Sequence, residues 1–303
     1  MRVVLCLFIV AAPAVGSGQQ ASLPEDFREA LALLGSRTGD FGGGVLKISV
    51  PRGDLTVKVR GESLPTAFGF SGWVAMTHGD GGQCVMMGDL VLLQEEVNPV
   101  MSSLLENGFE ITALHNHFFW DQPRLFYMHI HGTGSAGDLA RRVKPGLERI
   151  GVASAETPDP PLADPAPVAA KALDGTRLAQ IVGAKGEFAG PVYKITVGRD
   201  DIALKEMGAR IGSRMGLNSW AAFYGTDAEA AIAGDIAMLE NEITPVLKAL
   251  RANGLDVVAL HQHMIWTRPA VMFLHYWGKG PSDKLAKGFR AALDVSAFAK
   301  KAK

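Results

Sequence analysis

Residues 88–117 read GDLVLLQEEVNPVMSSLLENGFEITALHNH, and residues 234–263 read GDIAMLENEITPVLKALRANGLDVVALHQH. Aligned without a gap, the two stretches keep Gly88-Asp89 as Gly234-Asp235, Glu96 as Glu242, Pro99 as Pro245 and His115/His117 as His261/His263. Working outward, Pro123, His129 and Gly132 match Pro269, His275 and Gly278 at the same spacing. Upstream, Lys47-Ile48-Ser49-Val50 returns as Lys194-Ile195-Thr196-Val197, Arg52/Asp54 as Arg199/Asp201 and Trp73 as Trp220, at a spacing one residue longer. One residue was therefore lost near the Gly79–Gln83 turn. Self-similarity on this scale means that the fold was duplicated. The repeats are expected at residues 24–150 and 171–297, joined by a proline-rich linker at 151–170 whose composition has no hydrophobic period.

Each repeat follows one plan. A helix at Glu25–Leu34 leads to strands at Val45–Val50, Leu55–Val59, Trp73–Met76 and Cys84–Leu93. A helix at Glu95–Glu106 carries Asn98-Pro99 near its start and stops at Asn107-Gly108. Strands at Glu110–Phe119 and Arg124–His131 and a helix at Ala136–Ile150 complete the unit. The fold class is α+β: two homologous repeats, each an antiparallel or mixed sheet with helices on one face in a split β-α-β-like order, packed as a pseudo-dimer.

Seven of the 8 histidines fall in the two closing hairpins. Residues two apart on a strand share a face, so His115 and His117 point one way, and so do His129 and His131. A turn centred near Gln122-Pro123 would pair His117 with His129 and His115 with His131. The opposite face, with Leu114, Phe118, Phe126, Met128 and Ile130, is then the helix-covered side. The second copy supplies His261, His263 and His275, with Trp277 where His131 would be. Tyr127 and Phe273 share the imidazole face, which favours a covered site and a sheet-to-sheet packing of the repeats around both clusters. Clustered imidazoles pack poorly and repel once protonated, so metal binding is the expectation. Imidazole without thiolate suits a transition metal, Zn or Cu first.

Three imidazoles and an open position would make a hydrolytic zinc site, which also wants a carboxylate base. Glu96 and Asp121 are the catalytic candidates. Glu96 recurs as Glu242, and Asp121 lies in the hairpin loop with Thr267 as its counterpart. Asp89 and Asp235 are further carboxylate candidates. Each has a structural reading beside it: a charge at a helix start for the glutamates, a turn for the aspartates. Trp73 and Trp220, the Arg52/Asp54 and Arg199/Asp201 pairs, and Met86, Met87 and Met128 are expected to be structural, and His78 a surface residue.

The chain has 303 residues, 48% hydrophobic and 20% charged, with net charge −1. That composition fits two globular domains and excludes disorder. Without clustered cations, nucleic acid is not an expected partner. The expected partners are a metal ion and a small-molecule substrate. Met1-Arg2, the apolar run Val3–Ala14 and the small residues after it have the form of a signal peptide within residues 1–20. The run is too short to span a bilayer, so no stable membrane span is expected after its removal, and the location is periplasmic or secreted. Cys6 belongs to that run. Cys84 then remains as a single thiol, expected to be a small buried residue.

GDLVLLQEEVNPVMSSLLENGFEITALHNH and PRLFYMHIHG resemble the LppY/LpqO family of exported bacterial proteins over nearly all of the mature chain. The resemblance implies secretion and duplication and no established activity. The second copy departs from the pattern at Gln262, Tyr276 and Trp277. The alternatives are a non-catalytic metal carrier or small-ligand-binding module, a haem protein held by one axial histidine, and a two-cupin barrel. The strong helices speak against the last.

Overall fold

The computed structural model describes residues 22–35, 37–152 and 172–296. The expected signal peptide, residues 1–20, and nearly all of the expected linker lie outside them. The first repeat runs α1 (Glu25–Leu33), β1 (Gly39–Gly42), β2 (Val45–Pro51), β3 (Val57–Val59), β4 (Glu62–Leu64), β5 (Ser71–His78) and β6 (Cys84–Leu93). It closes with α2 (Gln94–Glu106), β7 (Glu110–His115), β8 (Asp121–Gln122), β9 (Leu125–Gly134) and α3 (Ala136–Leu147). The second repeats this order: α4 (Gly175–Val182), β10 (Gly186–Ala189), β11 (Val192–Gly198), β12 (Leu204–Glu206), β13 (Ala209–Ile211), β14 (Asn218–Gly225) and β15 (Ala230–Leu239). It ends with α5 (Ile243–Ala252), β16 (Asp256–His261), β17 (Val271–Gly280) and α6 (Ser282–Val295). Among the described residues, no helix is long and apolar enough to cross a membrane.

Each repeat forms a six-stranded sheet, β1-β2-β5-β6-β9-β7 and β10-β11-β14-β15-β17-β16, in which every paired neighbour is antiparallel. β6 and β7 flank β9 and are joined through α2, which is the split β-α-β unit expected from the sequence. One face of each sheet carries the helices: Met128, Ile130, Leu90 and Leu92 pack with Val100, Leu104, Leu139 and Val143. Ile236, Leu274 and Tyr276 pack with Val246, Leu250, Leu285 and Phe289 in the second repeat.

The other two faces pack on each other. Val91, Phe118 and Tyr127 of the first repeat share a core with Ala222, Ala231 and Trp277 of the second. Ala75, Val85 and Met87 share another with Leu204, Ile211, Met215 and Phe273. The result is a helix–sheet–sheet–helix sandwich, the pseudo-dimer expected from the duplication. A barrel is excluded by its open sheets. Each repeat also lends a small hairpin to the joint: β3–β4 with β8, and β12–β13.

Two expectations need correction. The helix begins at Gln94, one residue from the expected Glu95, because the Glu96 carboxylate accepts the Leu93 N–H at 2.8 Å and caps it there, so Pro99 lies past the first turn and Asn98 is not the cap. Leu114 and Phe118 do not join the helix-covered face. Leu114 is 42% exposed on the edge strand, and Phe118, beyond the end of β7, turns into the joint between repeats.

Glu96 belongs to the frame. Its Oε2 accepts from Arg52 Nη1 at 2.6 Å, and its Oε1 accepts the Gly151 N–H at 2.7 Å. Arg52, 1% exposed, also donates to Asp54 and to the Val91 carbonyl. Arg199 repeats the arrangement with Asp201, Glu242 and the Ala237 carbonyl. Breaking a buried pair strands the partner's charge. Arg52→Ala is therefore expected to cost about 3–5 kcal/mol, read from the urea unfolding midpoint, and a midpoint within error of wild type would refute this role.

Candidate metal centre

The hairpin that presents the histidines is wider than a tight turn. β7 ends at His115, the Asn116 side chain donates to the Leu125 carbonyl at 2.6 Å, and Asp121–Gln122 leave to pair with β3. The Gln122–Pro123 bond is cis, as is Arg268–Pro269 in the second copy. The wide loop moves the register four residues from the expected one: His115 stands opposite Tyr127 and His129 opposite Ala113. A shift by an even number of residues keeps every side chain on its face. The expected common face therefore survives, although the expected cross-strand pairs do not. The second repeat places His261 opposite Phe273 and His275 opposite Ala259.

Across the joint, the imidazoles meet in three pairs. The His115 and His261 rings lie 3.8 Å apart, His117 and His275 3.6 Å, and His129 and His263 4.0 Å. The pairs obey the duplication: His115 meets its own counterpart, and each of the other two pairs is the image of the other. His117 stacks on Tyr127 at 3.2 Å and His263 on Phe273 at 3.4 Å, so aromatic rings wall the cluster on both sides. The Tyr127 hydroxyl donates to the Gly69 carbonyl, and Thr112 Oγ1 donates across the joint to the His263 carbonyl at 2.6 Å. His117, His129, His263 and His275 are buried, while His115 and His261 are only partly covered.

Donor nitrogens from His115, His117 and His275 lie within 4.8 Å of one another, as do those from His115, His129 and His261. Bonds of about 2.0–2.1 Å set ligand nitrogens roughly 3.3–4.2 Å apart around one ion, so modest closure of the rings completes either set. Nε2 of all six rings, and Nδ1 of His117 and His261 as well, are buried without a hydrogen-bond partner. Buried polar atoms are ordinarily satisfied. His275 Nδ1 lies 3.2 Å from the Gly234 carbonyl, and His129 makes the matching bond to Gly88. Donation from Nδ1 to a carbonyl leaves the Nε2 lone pair facing the cluster, the usual way a protein aims a ligating histidine.

Burial first, and mutual repulsion second, keeps the rings neutral. His115 is pushed down to about 4 and His261 to about 2, and His117, His129, His263 and His275 fall well below the usual imidazole value. Neutral imidazole is the metal-ligating form.

His131 does not join the six. It lies two residues beyond His129, opposite Glu110, and its Nδ1 is 2.6 Å from Glu206 Oε1 on β12 of the other repeat. Glu206 is a partner that the sequence did not announce. Trp277, at the equivalent position, plugs the opposite end of the joint against Val57 and Leu64.

The catalytic candidates are both engaged elsewhere. Glu96 is held in the Arg52 network. Asp121 Oδ2 accepts the Leu125 N–H at 2.7 Å and pins the hairpin loop, and burial raises its pKa. Asp89 and Asp235 come closer to the imidazoles, opposite His129 and His275 in the ladders. Asp235 Oδ2 lies 3.5 Å from His263 Nε2. Burial pushes Asp89 up to about 7, against the pull of Lys47 and Lys194, and holds Asp235 well above the carboxylate range. Lys47, lowered to about 8 by burial and by Lys194, stands 4.1 Å over Trp73, and Lys194 stands 4.3 Å over Trp220. These lysines were visible in the sequence as part of the repeat; nothing in the sequence placed them beside the aspartates of the same joint.

The family model described as Domain of Unknown Function (DUF1259) matches residues 29–149 and 176–295, one match per repeat. No curated protein matches. Among solved structures, the crystal structure of EtuB from Clostridium kluyveri is similar at 8% identity and a TM-score of 0.21, covering 86% of this chain and 92% of that one. A trimeric bacterial microcompartment shell protein, PduB, is similar at 11% identity and a TM-score of 0.22, covering 86% and 90%. Likeness at that level transfers nothing from either protein.

Proposed function

The chain belongs to the DUF1259 family, carrying two copies of its domain, and from that premise we propose that it is a transition-metal-binding protein whose site is shared by the two repeats. The observation that supports this reading is the meeting of six neutral imidazoles across the joint, each with a buried nitrogen that has no other partner. His115, His117 and His275 would hold an ion on one side, and His129 and His261 with His115 on the other. An all-nitrogen set suits Zn or Cu and gives hard cations such as Mg or Ca nothing to bind. The imidazole rings are in contact across the joint, with centroids 3.6–4.0 Å apart, which leaves no slot for a haem macrocycle.

Holding and handing over the ion fits better than hydrolysis. Of the carboxylates considered as general bases, Glu96 is spent on Arg52 and Asp121 on Leu125, and burial holds Asp89 and Asp235, which lie nearer the imidazoles, toward their protonated form. The reading includes export to the periplasm or the exterior, on the strength of residues 1–20 and of the LppY/LpqO resemblance. Tag-free protein dialysed against Zn²⁺ or Cu²⁺ is expected to retain at least one equivalent per chain and to turn over no ester, lactone or phosphate substrate. Protein that retains no metal would defeat the proposal, and metal-dependent turnover would restore the hydrolase.

A further inference from the structure

We propose a second metal site, separate from the six imidazoles, in which Asp26 of α1, His78 of β5 and Cys84 of β6 form a carboxylate–imidazole–thiolate set for a divalent ion such as Zn²⁺. The donor atoms of the three lie within 4.8 Å of one another. His78 and Cys84 are directly opposite each other in the β5–β6 ladder, a position that brings Cβ atoms to about 4.5–5.5 Å. The His78 ring is held from both sides: it stacks on Phe27 with centroids 4.5 Å apart and planes 8° from parallel, and its Nε2 is 2.8 Å from Asp26 Oδ2.

The exposure is graded as an ion site needs. Cys84 is 2% exposed, whereas the side chains of His78 and Asp26 are 47% and 44% exposed. A thiolate at the floor and two ligands at the rim leave a fourth position open to water. Burial, and then the Asp26 carboxylate beside it, push the Cys84 thiol up to about 11 against the hydrogen bond from the Ala136 N–H at the start of α3, so an ion entering the site has to displace the thiol proton. On coordination the thiol gives its proton to solvent as the metal–sulfur bond forms, with no change of oxidation state.

The duplication supplies an internal control. In the second repeat the same ladder position is occupied by Gly225 and Ala230. The hairpin therefore folds without an imidazole or a thiol, although in the first copy Cys84 also belongs to the helix-side core and His78 also stacks on Phe27.

Cobalt titration of the full chain tests the site, because a thiolate–Co²⁺ bond absorbs by charge transfer in the near ultraviolet and an all-imidazole site does not. Wild type is expected to develop the band, and so is the His115→Ala/His261→Ala variant, which isolates this site from the six-histidine centre. Cys84→Ala, which installs the residue the second repeat already accepts, is expected to abolish the band with an unchanged unfolding midpoint. His78→Ala is expected to weaken the cobalt affinity behind it by at least about tenfold. A saturating titration without the band, or a band indifferent to His78→Ala, would overturn the proposal.

Discussion

Replacing His115 and His261 together by alanine is expected to empty the six-histidine centre of its metal. These two rings face each other at the centre of the cluster, and His115 belongs to both donor sets. Without them one set drops to two imidazoles and the other to His129 alone, too few to enclose an ion. The loss should also appear as stability. Ligand at a hundred times its dissociation constant adds about 2.7 kcal/mol to a protein that binds it only when folded. Wild type should therefore gain several degrees in melting temperature on addition of Zn²⁺ or Cu²⁺, and the double variant, further altered by Cys84→Ala to remove the second site, should gain none. Both substituted side chains are only partly covered, so the metal-free variant should unfold near the metal-free wild type. Equal metal content in the two proteins would contradict the site.

Acid should destabilise the metal-free protein steeply. The six clustered histidines titrate below their ordinary 6.5 when folded, with His115 near 4 and His261 near 2. Their contribution to stability is complete above pH 6.5. Below it, the unfolded chain takes up protons that the folded joint refuses, and stability falls by up to about 1.4 kcal/mol per pH unit for each histidine. Asp89 and Asp235 act with the opposite sign. Their carboxyls titrate at higher pH when folded, Asp89 near 7, so the folded state holds protons there that the unfolded state releases. Six imidazoles outweigh two carboxyls, and the net slope is a loss on acidification. Urea midpoints of metal-free protein between pH 7.5 and pH 5 measure it. A flat or rising midpoint toward acid would show that the rings are not buried together.

Much of this architecture could be read in the sequence because duplication is a positional signal. Matching Lys47 with Lys194 and His115 with His261 needs no structure, and the strand period alone turned His115, His117 and His129 the same way. The split β-α-β unit followed from the same pattern, since the strands expected at Cys84–Leu93 and Glu110–Phe119 enclose an amphipathic helix, although the second ends at His115. Register was not legible. It depends on how far the chain travels between β7 and β9, and that distance is set by β8 pairing with β3, a contact distant in sequence, together with the local Asp121 bond to Leu125. His131 was misplaced for this reason. The partnership between repeats was legible only as a face, not as a list of pairs: nothing in spacing tells that His117 meets His275, or that Glu206 meets His131. Glu96 recurred because its arginine recurred, which makes it conspicuous without making it catalytic. The short strands β1, β4, β10, β12 and β13 carry too few residues for a period to show.

The central claim is that one metal centre draws ligands from both repeats. X-ray absorption at the metal edge tests it most directly, on tag-free Zn- or Cu-loaded wild type and on variants altered in one repeat at a time, His117→Ala/His129→Ala and His263→Ala/His275→Ala. Wild type is predicted to show nitrogen neighbours at about 2.0–2.1 Å with the outer-shell scattering of at least three imidazoles, and both variants are predicted to lose part of it. Oxygen-only coordination in wild type, or a spectrum that responds to one repeat and ignores the other, would contradict the account.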